Sequence, residues 1–183
     1  MTSKSPSTHK KTAIAKKGSG SRKNNASKDL KHSSTKLYTL QVFIIDGPMP
    51  EEFRGKEISR TIQIRGNQTL EVLHQAIFEA FDREDEHLYE FQFGEGPHDP
   101  KGPRYQPGGS YDGENVEDAR TCKLDDLELT VDRSFGYWFD FGDDWMHQIK
   151  VIKIEAATAK TRFPKIIDRI GKSPPQYPDF DEG

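Results

Sequence analysis

The sequence has one cysteine, no long apolar run and few apolar residues overall. The single Cys122 excludes an internal disulfide and a metal site made of thiolates alone, and it fits a reducing compartment. No apolar run approaches the roughly 20 residues that a membrane-spanning helix needs, and the start MTSKSPSTHK lacks the apolar core of a secretory signal. We therefore expect a cytoplasmic protein with no membrane contact.

The apolar fraction is 32%, well below the roughly 45–50% of average soluble domains, so we expect part of the chain to stay unpacked. The distribution of charge indicates which part of the chain stays unpacked. Residues 1–36 hold ten Lys or Arg and one acidic residue, a net charge of +9, whereas residues 37–183 carry a net charge of −12. The first segment has no aromatic residue and cannot offset its ordering entropy by burial, which predicts a disordered basic arm over residues 1–36.

Two interpretations of this arm remain open. Its basic residues contact nucleic-acid phosphates without sequence preference, because neutralisation by lysine releases counterions from the nucleic acid. Alternatively, the arm is a solvated tail that aids solubility or is tethered loosely to its own acidic domain. The residues proposed for the nucleic-acid contact are Lys10, Lys11, Lys16, Lys17, Arg22 and Lys23.

Hydrophobic periodicity predicts five strands and one helix in the domain of residues 37–155. Alternating apolar residues indicate strands at 37–46, 57–65, 87–93, 134–141 and 145–154, and helical spacing with a cap at Asn67 or Thr69 indicates a helix over 70–82. The order ββαβββ predicts an α+β fold with a mostly antiparallel five-stranded sheet and one main helix, similar to a β-grasp. Residues 94–120 are predicted to form a long surface loop, and residues 156–183 an extended, Pro-rich, acidic C-terminal segment of the same domain.

Two polar residues occur on apolar faces, and both are candidate binding residues. Arg60 shares the parity of Ile58, Ile62 and Ile64, so either it pairs with a carboxylate or it lies at a sheet edge with its head in water. His74 lies on the apolar stripe of the helix, where it is either a buried histidine with one hydrogen-bond partner or a catalytic or ligand-binding group.

The densest group of reactive residues is YWFDFGDDWMH at 137–147. A hairpin loop with an even residue count would place Trp138, Asp140, Trp145 and His147 on one face. This face is either a structural, tryptophan-lined surface that binds a partner segment or a catalytic centre. The candidate catalytic residues are Asp140, Asp143, His147 and His87, together with Asp144, while Trp138 and Trp145 are candidate binding residues. Since no HExxH or CxxC motif is present, we predict no metal and no cofactor.

Several of these motifs resemble the plasmid pRiA4b ORF-3-like family. The similar segments are YTLQVFIID, SRTIQI, TLEVLHQAIFEAF, HLYEF, LDDL, FGYWFDFGDDWMHQIKV and FPKIIDRIGKSPPQYPD, which together cover roughly residues 37–179. The resemblance implies a compact α+β domain of the kind found on plasmids and as insertion-sequence passengers, including proteins labelled TnpR, and it brings no established activity. The residues at matching positions are Arg60, His74, His87, Asp140, Gly142, Asp143, Trp145 and His147.

Two functions are consistent with these observations. The first is a non-enzymatic binding or accessory module of mobile elements, with an unknown protein partner at the tryptophan face and nucleic acid at the arm. The alternative is a metal-dependent hydrolase or nuclease built on the DFGDDWMH hairpin, in which the metal activates water.

Overall fold

The computed structural model describes residues 35–110, 115–158 and 161–178. These residues belong to one compact unit, Ser33–Gly183. Apart from Thr35 and Lys36, the predicted basic arm lies outside the described residues. No helix among the described residues is long and apolar enough to cross a membrane.

One eight-stranded sheet dominates the fold. The strands are β1 (Lys36–Asp46), β2 (Ser59–Arg65), β3 (Tyr89–Gln92), β4 (Arg104–Gln106), β5 (Val116–Asp118), β6 (Ser134–Phe139), β7 (Trp145–Ala156) and β8 (Lys165–Ile170). Their order in the sheet is β5-β4-β3-β6-β7-β1-β2-β8. The β4–β5 pair is parallel and the other six pairs are antiparallel, so the sheet is mixed.

The predicted five-stranded, β-grasp-like sheet is therefore wrong. Strands β4 and β5 have three residues each and lie inside the Gly- and Pro-rich segment that was predicted to be a loop, because three residues are too few to display a period of two. Strand β8 was also missed. It is the edge strand beside β2, and because five of its six residues are exposed it lacks apolar alternation.

Helix α1 (Leu70–Ala80) begins where the sequence predicts, and the Thr69 hydroxyl accepts a hydrogen bond from the Val72 amide (3.4 Å). It ends at Ala80 because Phe81 leaves the helical conformation and Asp82 adopts a left-handed one (φ 55°). The helix packs its apolar stripe against one face of the sheet. The buried helix residues are Leu70, Leu73, His74, Ala76, Ile77 and Ala80. Two short 3₁₀ helices, Glu51–Phe53 and Leu124–Leu127, complete the regular structure.

Arg60 lies in the core and joins three distant segments. Its side chain is 2% exposed, and its guanidinium lies 4.8 Å from the centre of the Phe81 ring. Nε donates to the last carbonyl of α1, that of Ala80 (2.7 Å). Nη1 donates to the carbonyls of Ile170 (2.8 Å) and Gly171 (3.1 Å) at the end of β8. The arginine on β2 thus ties the end of the helix to the edge strand.

Neither interpretation of Arg60 from the sequence is correct. Among the described residues it has no direct carboxylate partner, and its head is buried. Instead, backbone carbonyls accept most of its hydrogen bonds, and Nη2 donates to the Ser173 hydroxyl (2.7 Å), which in turn donates to Asp82 (2.6 Å). Burial is the main factor that lowers the pKa of Arg60, and the nearby charge of Arg169 lowers it further.

Replacement of Arg60 by methionine should destabilise the protein by about 3 kcal/mol or more, because buried carbonyls at Ala80, Ile170 and Gly171 would lose donors. The free energy of unfolding in urea measures this. Arg54→Met is the matched control, since Arg54 is exposed and only 3.5 Å from an exposed Glu51 carboxylate, so it should cost at most about 1 kcal/mol. Equal losses for the two variants would contradict the assigned role of Arg60.

Candidate functional site

Most of the polar groups singled out from the sequence lie near one place in the fold. The loop at 81–88, which follows α1, contacts the turn at 140–144 between β6 and β7, and the C-terminal residues 173–177 fasten that loop. The Gln176 side chain accepts hydrogen bonds from the amides of Glu84 (2.9 Å) and Asp85 (3.1 Å), and it donates to the Asp85 carbonyl (2.9 Å). The loop therefore has a defined conformation although it contains no regular structure.

Arg83 is the residue that this loop turns inward. Its side chain is 7% exposed, and its guanidinium carbon lies 3.7 Å from the centre of the Trp145 ring. Burial lowers its pKa to about 10, so Arg83 still carries its positive charge at neutral pH. Within the described part of the chain, none of its three guanidinium nitrogens has a hydrogen-bond partner.

Trp145 and His147 follow one another on the inner face of β7, and both are buried. Trp145 packs directly against Gly47, where a Cβ would come within 2.5 Å of the ring. The His147 Nδ1 lies 3.1 Å from the Trp145 carbonyl oxygen. Burial, with the nearby charge of Arg83, lowers the pKa of His147 to about 3, so the ring is neutral at neutral pH. The Trp145 Nε1 and the His147 Nε2 also lack a partner among the residues described.

His74 connects the buried Tyr137 to the surface. Its Nδ1 lies 2.8 Å from the Tyr137 hydroxyl and its Nε2 lies 3.0 Å from a carboxylate oxygen of Glu86, which is half exposed. Its ring stacks on Tyr89 at 3.8 Å between centres. Burial lowers the pKa of His74 and outweighs the opposing effect of Glu86. His74 is therefore a buried histidine with two hydrogen-bond partners, one more than the sequence interpretation gave it.

Asp140 organises the turn between β6 and β7. It adopts a left-handed conformation (φ 58°), its Oδ1 accepts hydrogen bonds from the amides of Gly142 (3.1 Å) and Asp143 (3.4 Å), and its carbonyl accepts one from Asp144 (2.7 Å). Its Oδ2 lies 3.5 Å from the Nε2 of His87, which also lies 2.7 Å from the Tyr177 hydroxyl. Asp140 thus has a structural role that uses both carboxylate oxygens.

The predicted common face for the two tryptophans is wrong. Five residues, 140–144, separate the paired ends Phe139 and Trp145, and an odd loop reverses the parity of the second strand. Trp138 therefore pairs with Met146 on the face opposite α1, and its Nε1 donates to Asp144 (3.0 Å). Of the four candidate binding residues, only Trp138 reaches the surface, whereas Arg60, His74 and Trp145 are buried.

The candidate catalytic residues do not form a metal site. Over residues 35–110, 115–158 and 161–178, no group of three or more His, Cys, Asp or Glu side chains is arranged to hold a metal ion. His87 and Asp140 are in contact, but His147 lies in the core and faces Phe81 and Tyr137 instead.

Arg83 is the residue that sequence reasoning missed. It stands in the run DREDE at 82–86, which has the composition of a solvated, charged loop and gives no periodic signal. The left-handed Asp82 and the anchor at Gln176 turn Arg83 inward, and neither can be inferred from the run itself.

These observations define a mostly β domain with one helix, in which a buried arginine, tryptophan and histidine lie near the end of that helix. The chain belongs to the plasmid pRiA4b ORF-3-like protein family, whose model matches residues 52–177. The resemblance inferred from the motifs is therefore confirmed.

The chain is similar to two proteins whose descriptions assign them no activity. It is 26% identical over 131 residues to the uncharacterized protein y4hQ of Sinorhizobium fredii (strain NBRC 101917 / NGR234), a match that covers 65% of this chain and 58% of y4hQ. The chain therefore spans less than two thirds of the length of y4hQ. It is also similar to the crystal structure of the protein of unknown function MM3350 from Methanosarcina mazei Go1, with a TM-score of 0.65, 26% identity and coverage of 79% of this chain and 75% of that one.

The placement of the two tryptophans predicts their fluorescence. Trp138→Phe leaves only the buried Trp145, so emission should shift to shorter wavelength and acrylamide should quench it several-fold less than in the unsubstituted protein. Unchanged quenching in the variant would contradict the placement of Trp138 and Trp145 on opposite faces of the sheet.

His147 predicts a loss of stability in acid. Its folded pKa of about 3 lies below the unfolded value of 6.5, so its contribution is complete above pH 6.5 and decreases by about 1.4 kcal/mol per unit as the pH falls toward 3. His74 and His98 act in the same direction, because burial lowers the pKa of both.

His147→Asn tests this contribution, since the amide nitrogen of asparagine can keep the hydrogen bond to Trp145 without titrating. Urea unfolding measured between pH 4 and pH 7 should give a slope that is smaller by about one proton. An unchanged slope would show that His147 is not the titrating group.

Proposed function

We propose that this protein is a cytoplasmic, non-enzymatic binding module associated with mobile elements, which contacts nucleic acid through its basic residues 1–36. The observation that carries the proposal is the division of charge, +9 over residues 1–36 and −12 over the rest. The family's description as plasmid-derived supports the association with mobile elements. Cys122, which is free, is consistent with a reducing compartment.

The chemistry of the arm favours phosphate contacts without sequence preference. Lysine neutralises phosphates as a flexible point charge, and the release of condensed counterions provides most of the affinity. An acidic domain repels the same polyanion, so the contact is expected to stay with the arm and not spread over the domain surface. Lys10, Lys11, Lys16, Lys17, Arg22 and Lys23 are the residues proposed for it.

The described domain supports binding over catalysis. The carboxylate of Asp140 organises a turn, the imidazole of His74 joins Tyr137 to Glu86, and the Nδ1 of His147 faces the Trp145 carbonyl. Each of these groups is engaged in holding the fold. Trp138 is half-buried on the face opposite α1, and its ring is tilted against that of Phe141 at 4.2 Å between centres. It is the contact we propose for a protein partner.

The arm predicts a strong dependence of nucleic-acid affinity on salt. Replacement of Lys10, Lys16 and Lys23 by glutamine should weaken binding to a labelled DNA duplex and lower the slope of log K against log salt concentration by up to about 3. Fluorescence anisotropy between 50 and 200 mM salt, on duplexes of two unrelated sequences and on single-stranded RNA, measures both quantities.

The matched control replaces Lys56, Lys101 and Lys172, three exposed lysines of the folded domain, and changes the net charge by the same amount. This control should leave both affinity and slope unchanged. If the two triple variants behave alike, or if the unsubstituted protein does not bind at low salt, the proposal fails.

A further inference from the structure

The buried group of Arg83, Trp145 and His147 combines several unpartnered donors with one acceptor. Each of these side chains is more than nine-tenths buried. Arg83 and Trp145 are in direct contact, at 3.7 Å between the guanidinium carbon and the ring centre, and Arg83 is close enough to His147 for its charge to affect the imidazole. Five nitrogens of this group lack a protein partner among the described residues: Arg83 Nε, Nη1 and Nη2, Trp145 Nε1 and His147 Nε2.

No carboxylate neutralises Arg83 directly. No described acidic group comes within salt-bridge distance of it, although Asp140 and Asp82 are near enough to favour its charged form. Both carboxylates are engaged elsewhere, Asp140 with turn amides and His87, and Asp82 with Arg169 and Ser173. A buried guanidinium without hydrogen bonds is strongly destabilising, and a bound anion would supply the missing acceptors.

The hydrogen-bonding roles of the group define that partner. An arginine offers five N–H donors and an indole offers one. The His147 Nδ1 faces the Trp145 carbonyl, which can only accept, so Nδ1 carries the proton of the neutral ring and Nε2 is an acceptor. The lowered pKa of His147 is consistent with this neutral form. The group therefore suits an anion that has negative charge on oxygen and also one hydroxyl.

We propose that Arg83, Trp145 and His147 bind a small hydroxylated oxyanion, of the class of hydrogen phosphate or bicarbonate. The guanidinium and the indole N–H bind the charged oxygens, and the hydroxyl of the ligand donates to the His147 Nε2. This proposal does not depend on the nucleic-acid contact proposed above. The loop that carries Arg83 is fastened by hydrogen bonds to Gln176.

Trp145 is itself the reporter of this site. Full-length Trp138→Phe protein, dialysed into an amine buffer free of oxyanions, is titrated with sodium phosphate and separately with sodium bicarbonate at constant pH and ionic strength. We expect a saturable change in Trp145 emission and a rise in the thermal midpoint with one or both anions. Nitrate and formate, which lack a hydroxyl at neutral pH, should bind about tenfold more weakly.

Two variants assign the contacts. Arg83→Met should remove the response to every anion, and because it eliminates a buried charge it should unfold at the same or a higher temperature in the anion-free buffer. His147→Asn keeps the side-chain donor toward the Trp145 carbonyl but lacks the Nε2 acceptor. It should bind hydrogen phosphate or bicarbonate about as weakly as nitrate, so that the tenfold preference disappears.

The titration of the Trp138→Phe protein tests anion binding even if Arg83→Met or His147→Asn fails to fold. A flat emission signal and an unchanged thermal midpoint for all four anions would mean that water alone solvates Arg83, and would overturn the proposal. An equal response to nitrate and to hydrogen phosphate would overturn the role of His147. A response that survives in Arg83→Met would show that the anion binds elsewhere.

Discussion

The hydrogen bonds of Arg60 are the interaction on which the arrangement of the other elements depends. From the start of β2 the guanidinium reaches the last carbonyl of α1, 20 residues further along the chain, and the carbonyls at the end of β8, 110 and 111 residues further along. Through Ser173 it also reaches Asp82, the first left-handed residue after the helix. The loop that begins there is positioned by this arginine, and so is the group of polar residues that the loop turns into the core.

The two buried arginines of the domain, Arg60 and Arg83, differ in whether the protein supplies their hydrogen-bond partners. Arg60 donates from every nitrogen to groups of the protein, and in return it fixes their positions. Arg83 is nearly as buried, yet it meets an aromatic face and donates to no described group. Buried polar groups of native proteins are normally hydrogen-bonded, so this difference is the observation behind the anion-binding role proposed for Arg83.

The helix and five of the strands could be predicted from the sequence because the segments that contain them show their period. The start of α1 at Leu70 and the strands β1, β2, β3, β6 and β7 follow from alternation and spacing alone. Strands β4, β5 and β8 could not be predicted, since two have only three residues and the third lies exposed at the edge. In the site, a single extra residue in the 140–144 turn reversed the facing of Trp138, which no periodicity within either strand reveals.

The position of β1 in the sheet shows that the folded domain begins before the segment that the family model matches. The family model begins at residue 52, after β1 has ended, yet β1 lies between β7 and β2 and hydrogen-bonds to both. A fragment cut at the matched limits 52–177 would lose an interior strand and leave β2 and β8 as a separate ribbon beneath the end of the helix. A two-stranded ribbon is marginally stable on its own, so the smallest autonomous folding unit extends to Lys36, upstream of the segment by which relatives are recognised.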